Sequence, residues 1–208
     1  ARPDNSNVAR IALVKTTSRA DGLRRAIELL NINPVLNQDV FLKPNFNSAD
    51  PAPGSTHPEL LRALILKLQE MGAQRITLGE RSGMGNTRTV MQHLGVFDLA
   101  KELDFHTVVL DELESSDWIK IQQKDSHWQQ GFAIPKISLE SGTLVQTCCL
   151  KTHRFGGHFT MSLKNSVGLV PVQIPGENHN YMNELHSSSF QRTMIAEINR
   201  TYNPSLVI

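Results

Sequence analysis

The chain has 208 residues, 39% hydrophobic and 20% charged, an ordinary globular composition. Its 21 basic and 20 acidic residues leave a formal net charge of +1, which gives no long-range steering onto nucleic acid or an anionic membrane, and no apolar run is long enough to span a bilayer. Two adjacent cysteines, Cys148 and Cys149, offer no cluster for zinc or an iron–sulfur centre within these residues.

The opening ARPDNSNVAR is polar and is not a signal peptide as it stands. RIALVKTT (10–17) reads as a first buried strand. ADGLRRAIELLN (20–31) reads as an amphipathic helix, with Leu23, Ile27 and Leu30 on one face and Asp21 near its start. DVFLKPNF (39–46) is a strand closed by Pro44, and 47–56 is a turn-rich loop. The helix over 57–72 is the clearest in the chain: Thr56 is a candidate N-cap, Pro58 sits in the first turn, Glu59 follows Thr56 by three positions, and Gly72 ends it. RITLGERS (75–82) predicts a strand, Thr87 to His93 a helix, FDLAKEL a short helix, and FHTVVLDE (105–112) another strand. WIKIQQ and GFAIP form a hairpin or an edge addition. GTLVQTCCLKTH (142–153) is a buried strand in which the cysteines serve as small apolar side chains of a reducing compartment. From Thr160 the pattern TMSLKNSVGLVP reads as a short helix or apolar turn. A capped helix over 187–204 stops at Asn203-Pro204, and SLVI begins a strand, from which further C-terminal residues are expected.

Repeated strand–helix alternation predicts a three-layer α/β domain with a mainly parallel sheet, spanning residues 1–208 as one domain. Ligands of such sheets bind beyond the C-terminal ends of the strands. Polar residues recur there. Lys43 and Asn45 close one strand, Glu80, Arg81 and Ser82 the next, and Lys151 and His153 a third, so all are expected on one rim.

Each candidate has a chemical and a structural interpretation. Lys43 contacts an anion or cofactor, or else snorkels to solvent. His57, at a helix start that disfavours its protonated form, binds a ligand or caps the helix. GERSGMGNT cradles an anion on its backbone amides or is simply a turn, with Arg81 paired to Glu80. In LKTHRFGGHFTMSLKNSVGLVP, His153 follows the strand directly, Gly156 and Gly157 permit close approach, and Lys164 and Asn165 interrupt an apolar run. An ammonium in apolar surroundings is costly and its pKa falls, which suits a base, an oxyanion anchor or a covalent attachment point. His153, with an ordinary pKa near neutrality, suits general acid/base work. A metal site using His153 with His179 or His186 is a further arrangement. His93, His106 and His127 read as structural or surface residues.

KPNFN, THPELLRAL, ITLGERSG, LKTH and SLKNSVGLVP, in that order and through almost the whole chain, resemble the domain-of-unknown-function 362 family. Many of its members carry a ferredoxin-like iron–sulfur module, which implies a ferredoxin-like redox partner here. More remotely, the strand ending in histidine followed by a glycine loop and a lysine is similar to the nickel-pincer lactate racemase family. That resemblance implies an acid/base role for His153 and a cofactor-bearing role for Lys164. The spacing differs by one residue, Met161-Ser162-Leu163 replaces that family's Gly-Gly-Ala, and Lys43-Pro44-Asn45 replaces its Thr-Arg-Pro, so architecture and site location carry over and the racemase reaction does not.

The expectation is an enzyme that binds a small anionic substrate or cofactor through Lys43, Asn45, His57, Glu80, Ser82, Lys151 and Asn165, with His153 as acid/base and Lys164 as anchor, in a redox or isomerisation reaction. The alternative is a non-catalytic anion- or cofactor-binding module of a redox assembly. No nucleic-acid partner or membrane span is expected, the cofactor is unassigned, and the reduced cysteines favour a cytoplasmic address.

Overall fold

A computed structural model describes residues 9–152 and 159–208. Five strands form one all-parallel sheet in the order β3-β2-β1-β6-β9: β1 (Asp39–Lys43), β2 (Arg75–Glu80), β3 (His106–Val109), β6 (Thr143–Gln146) and β9 (Leu206–Val207). Helix α2 (Pro58–Glu70) connects β1 to β2, helices α3 (Thr87–His93) and α4 (Val96–Leu103) connect β2 to β3, and α1 (Arg19–Leu30) precedes β1. On the other side lie the antiparallel hairpin β4 (Trp118–Ile121) and β5 (Phe132–Pro135), then α5 (Lys136–Glu140), the ribbon β7 (Lys151–Thr152) and β8 (Phe159–Thr160), and helices α6 (Ser162–Asn165), α7 (Tyr181–Ser187) and α8 (Gln191–Thr201). This is the three-layer α/β arrangement that the alternation predicts.

Strand pleating sorts the core. Val40 and Leu42 of β1, with Ile76, Leu78 and Val145, pack against α1 to α4. Phe41 and Leu144 point the opposite way, against Trp118, Phe132 and the apolar faces of α7 and α8. β1 lies between β2 and β6 and is buried on both faces, as a central parallel strand must be. Burying a Leu or Phe completely, as at Leu42 and Phe41, contributes roughly 1.5–3 kcal/mol. Gly79 makes this packing possible, because a Cβ there would lie 2.4 Å from the Phe41 ring.

Two boundaries depart from the sequence reading. Residues 10–17 form no strand; no neighbouring backbone pairs with them among the described residues, and Ile11 and Leu13 are 87% and 94% exposed. The strand expected over 142–153 ends at Gln146 and resumes only in β7. Pro44 ends β1, and after Thr147 N–H donates to Lys43 O at 3.0 Å that neighbour offers no further ladder. The last residue of the expected strand, His153, lies outside the described residues, as do the Gly156-Gly157 pair and His158.

Candidate functional site

β1, β2 and β6 end side by side, with Lys43 in register with Gln146 and Leu42 with Leu78. Lys43 shares a face with Phe41 but stands at the strand's last position, 1% exposed. Its Nζ donates to Pro44 O at 2.8 Å, to Glu80 Oε1, and in a long contact to Asn165 Oδ1 at 3.5 Å. Three acceptors match the three protons of an ammonium. Glu80 receives only donors: Lys43 Nζ, the Arg81 N–H at 2.9 Å and the Phe46 N–H at 2.8 Å. Burial pushes the Lys43 pKa down and the Glu80 pKa up, and their mutual attraction opposes both shifts. The bonding pattern is that of the charged pair. Gly168 lies directly over it: a Cβ there would stand 2.9 Å from Lys43 Nζ and 3.1 Å from Glu80 Oε1.

Asn165 joins three distant segments. Its Nδ2 donates to Pro44 O at 3.0 Å and to Thr147 O at 2.8 Å, while Oδ1 accepts from Asn45 Nδ2 at 3.3 Å. Asn45 in turn accepts from Lys151 Nζ at 3.0 Å through its side-chain oxygen, and its backbone N–H donates to Thr56 Oγ1 at 2.9 Å. Thr56 and Thr147 share a hydroxyl–hydroxyl bond of 2.8 Å. Lys151 also donates to Gly54 O. These bonds convert the end of β1, a loop and the last residue of α6 into one polar floor.

Lys164 sits on α6, half-buried. Burial lowers its pKa, and the neighbouring charges of Lys151 and Arg81 lower it further. Ser82 is tied in from behind, its Oγ donating to Phe46 O at 2.7 Å and its N–H to Thr87 Oγ1 at 2.8 Å. His57 is the N-cap of α2: Nδ1 accepts from the Glu59 N–H at 3.2 Å. Direct hydrogen bonds therefore link Lys43, Asn45, Glu80, Lys151 and Asn165. Lys164 shares their electrostatic neighbourhood, Ser82 braces the backbone, and His57 bonds to its own helix. His153 lies outside the described residues.

One contributor escaped the sequence reading, and two have partners other than those expected. Gly168 is visible there only as a glycine among apolar residues. The sequence predicts Thr56 as a helix cap, whereas its hydroxyl is used by Asn45 and Thr147. Arg81 meets Glu80 through its backbone N–H alone, and among the described residues its guanidinium makes no ion pair within 4.0 Å. Cys148 and Cys149 are half-buried free thiols rather than fully buried ones. Burial raises both pKa values, and for Cys149 the charge of Lys151 opposes the rise.

Three further histidines lie beside local polar groups. His127 Nδ1 pairs with Glu197 at 2.6 Å, His179 Nε2 lies 2.8 Å from Glu184, and His186 Nδ1 meets Met182 O at 2.7 Å. His127, Glu184 and His186 line an open depression of about 740 Å³. Among the described residues no three His, Cys, Asp or Glu side chains are placed to hold a metal ion.

The fold and this rim define a class: a parallel-sheet α/β protein whose polar side chains gather where β1, β2 and β6 end. Residues 40–208 match the family described as Domain of unknown function (DUF362), and the chain belongs to that family. Among solved structures it is similar to the lactate racemase apoprotein from Thermoanaerobacterium thermosaccharolyticum, with a TM-score of 0.63, 18% identity, and coverage of 92% of this chain and 49% of that one. The chain thus spans about half the length of that structure, and the likeness is one of fold. A search of curated proteins gives no match. No helix among the described residues is long and apolar enough to cross a membrane.

Proposed function

We propose that the rim binds a small organic anion and that the protein is an enzyme acting on it. One observation carries this reading: Lys43, Lys151, Lys164 and Arg81 share one neighbourhood in which the acidic groups acting on them are Glu80 and Asp111. Four cations against two carboxylates leave a local excess of positive charge, in a floor shielded from water where each charge counts for more. The fold shared with a lactate racemase makes a 2-hydroxy acid the first substrate to test.

Lys164 would anchor the substrate carboxylate or a developing oxyanion, its ammonium strengthened as a partner by partial burial. Lys151, steered by Asn45, would supply the second contact. His153 would take or return a proton at the carbon bearing the hydroxyl, giving isomerisation; with a ferredoxin-like partner the same site would serve a redox step. Among the described residues no three His, Cys, Asp or Glu side chains are placed to hold a metal ion, so these residues do not fit the nickel-pincer cofactor implied by the remote resemblance. Lys43 and Glu80 satisfy one another and adjacent backbone groups, so their part is to hold the floor. That observation also favours the second reading, a non-catalytic anion-binding module.

The test is calorimetric titration with L-lactate, pyruvate and inorganic phosphate, followed by proton NMR of L-lactate in D2O. The expectation is that Lys164→Ala weakens binding at least ~10-fold, the loss of one charge-assisted contact, with an unchanged melting temperature. His153→Ala should keep binding and lose deuterium incorporation at carbon 2. Binding that is indifferent to Lys164 refutes the site; binding without any turnover or proton exchange leaves the binding module.

A further inference from the structure

Arg81 is 5% exposed, and its guanidinium is an unfinished arrangement. Nη2 donates to Val167 O at 2.8 Å and to the Met182 thioether at 3.3 Å, and Nη1 donates to Ser82 O at 3.3 Å. Nε is buried with no partner. A guanidinium carries five N–H donors and cannot shed its charge by deprotonating. Buried donors are nearly always satisfied, and a buried cation normally touches a counter-ion. Here the acceptors in contact are two carbonyls and one sulfur, and no carboxylate stands within 4.0 Å among the described residues. The charges of Asp111 and Glu80 act on it only from farther away.

We propose that Arg81 is the carboxylate-recognition residue of this rim, its Nε–H and Nη2–H taking the two oxygens of a small organic acid while the Met182 side chain gives way. The inference deepens the anion-binding reading above and rests on it. The fork of Nε and Nη2 matches a planar carboxylate bidentately, whereas a lysine offers only a point charge. The thioether now on Nη2 is a weak acceptor on a side chain with three rotatable bonds, so it is the partner most readily exchanged for oxygen. Val167 O is fixed by the turn that also carries Gly168, and it holds the guanidinium plane while sulfur leaves. Lys164 feels the charge of Arg81, and an anion held by Arg81 would relieve that repulsion. Arg81 thereby sets a preference for carboxylates over spherical anions.

The experiment follows the Arg81 Nε–H resonance of protein labelled with ¹⁵N-arginine, identified by its absence in Arg81→Lys or, if that variant does not fold, by sequential assignment of the wild type. Acetate, L-lactate and inorganic phosphate are titrated at constant ionic strength, with thermal stabilisation measured in parallel. The expected result is a saturable shift with both carboxylates, none with phosphate, and at least tenfold weaker stabilisation by L-lactate in Arg81→Lys. If Lys164-dependent stabilisation occurs while the Arg81 Nε–H resonance stays still, this inference is overturned and the anion-binding rim stands. A response to phosphate alone overturns the carboxylate preference. No stabilisation of the wild type by any of the three overturns both.

Discussion

Replacing Lys43 with Met removes the ammonium beneath Gly168 and leaves the Glu80 carboxylate, 1% exposed, with only the Phe46 and Arg81 N–H groups as donors. Breaking a buried pair from one side costs about 3–5 kcal/mol. Domains of this kind have roughly 5–15 kcal/mol in total. The loss therefore takes a large share of the stability and moves the urea midpoint visibly at unchanged slope. Burial then acts on Glu80 without its counter-charge, so its folded pKa rises further above the unfolded value. A raised folded pKa gives stability that is full below the unfolded pKa and lost as pH rises through the folded one. The deficit of Lys43→Met should accordingly shrink between pH 7 and pH 5. Adding Glu80→Gln keeps a carbonyl oxygen for the two backbone donors, removes the stranded charge, and should recover most of the loss, so the two changes are far from additive. Urea unfolding of the four proteins of this cycle at both pH values is the assay. A single-variant cost below about 1 kcal/mol, or a double variant as unstable as the sum of its parts, would refute the reasoning.

Gly168→Ala places a Cβ 2.9 Å from Lys43 Nζ and Cε, so overpacking should cost about 1–3 kcal/mol in urea unfolding. Asn165→Leu leaves Thr147 O without its donor and Asn45 Nδ2 without its acceptor, while Pro44 O keeps its bond from Lys43, and should cost at least about 2 kcal/mol, each buried unpaired group costing ~1–3. Burial raises the Glu197 pKa, but bonds from His127 and Ser126 outweigh it and hold the carboxyl below its ordinary value. Its contribution is therefore present above the unfolded pKa of ~4.3 and lost as pH falls through the lower folded value. Acid unfolding of Glu197→Gln should accordingly show a shallower loss of stability below pH 5 than the wild type.

The fold was legible where local and long-range signals agree. Val40-Phe41-Leu42 is a continuous apolar run stopped by Pro44, and it forms the doubly covered central strand. Asn86 caps α3 through the Thr89 N–H at 2.9 Å, and that helix runs over the predicted residues. Residues 10–17 carry an equally apolar pattern, yet a strand exists only by its ladder, and sequence pattern says nothing of whether a neighbour is present. Thr56 and His57 are adjacent cap candidates, and a tertiary partner decided between them: the Thr56 hydroxyl is taken by Asn45 and Thr147, leaving His57 Nδ1 for the helix. The site was legible as a list of polar strand ends, because the C-terminal rim of a parallel sheet is a general location. Its internal wiring was not. That Asn165 bridges Pro44 and Thr147, or that Arg81 turns away from Glu80 towards Val167 and Met182, depends on contacts between segments tens of residues apart.

The central claim is that positive charge assembled at the ends of β1, β2 and β6 serves to hold an organic acid. A crystal structure of the protein grown with L-lactate tests it most directly. Density for the acid against Lys164 and Lys151, over the floor built by Asn45 and Asn165, is the predicted outcome. Lactate seated instead in the depression beside His127 and His186, with the rim occupied by water alone, would contradict it.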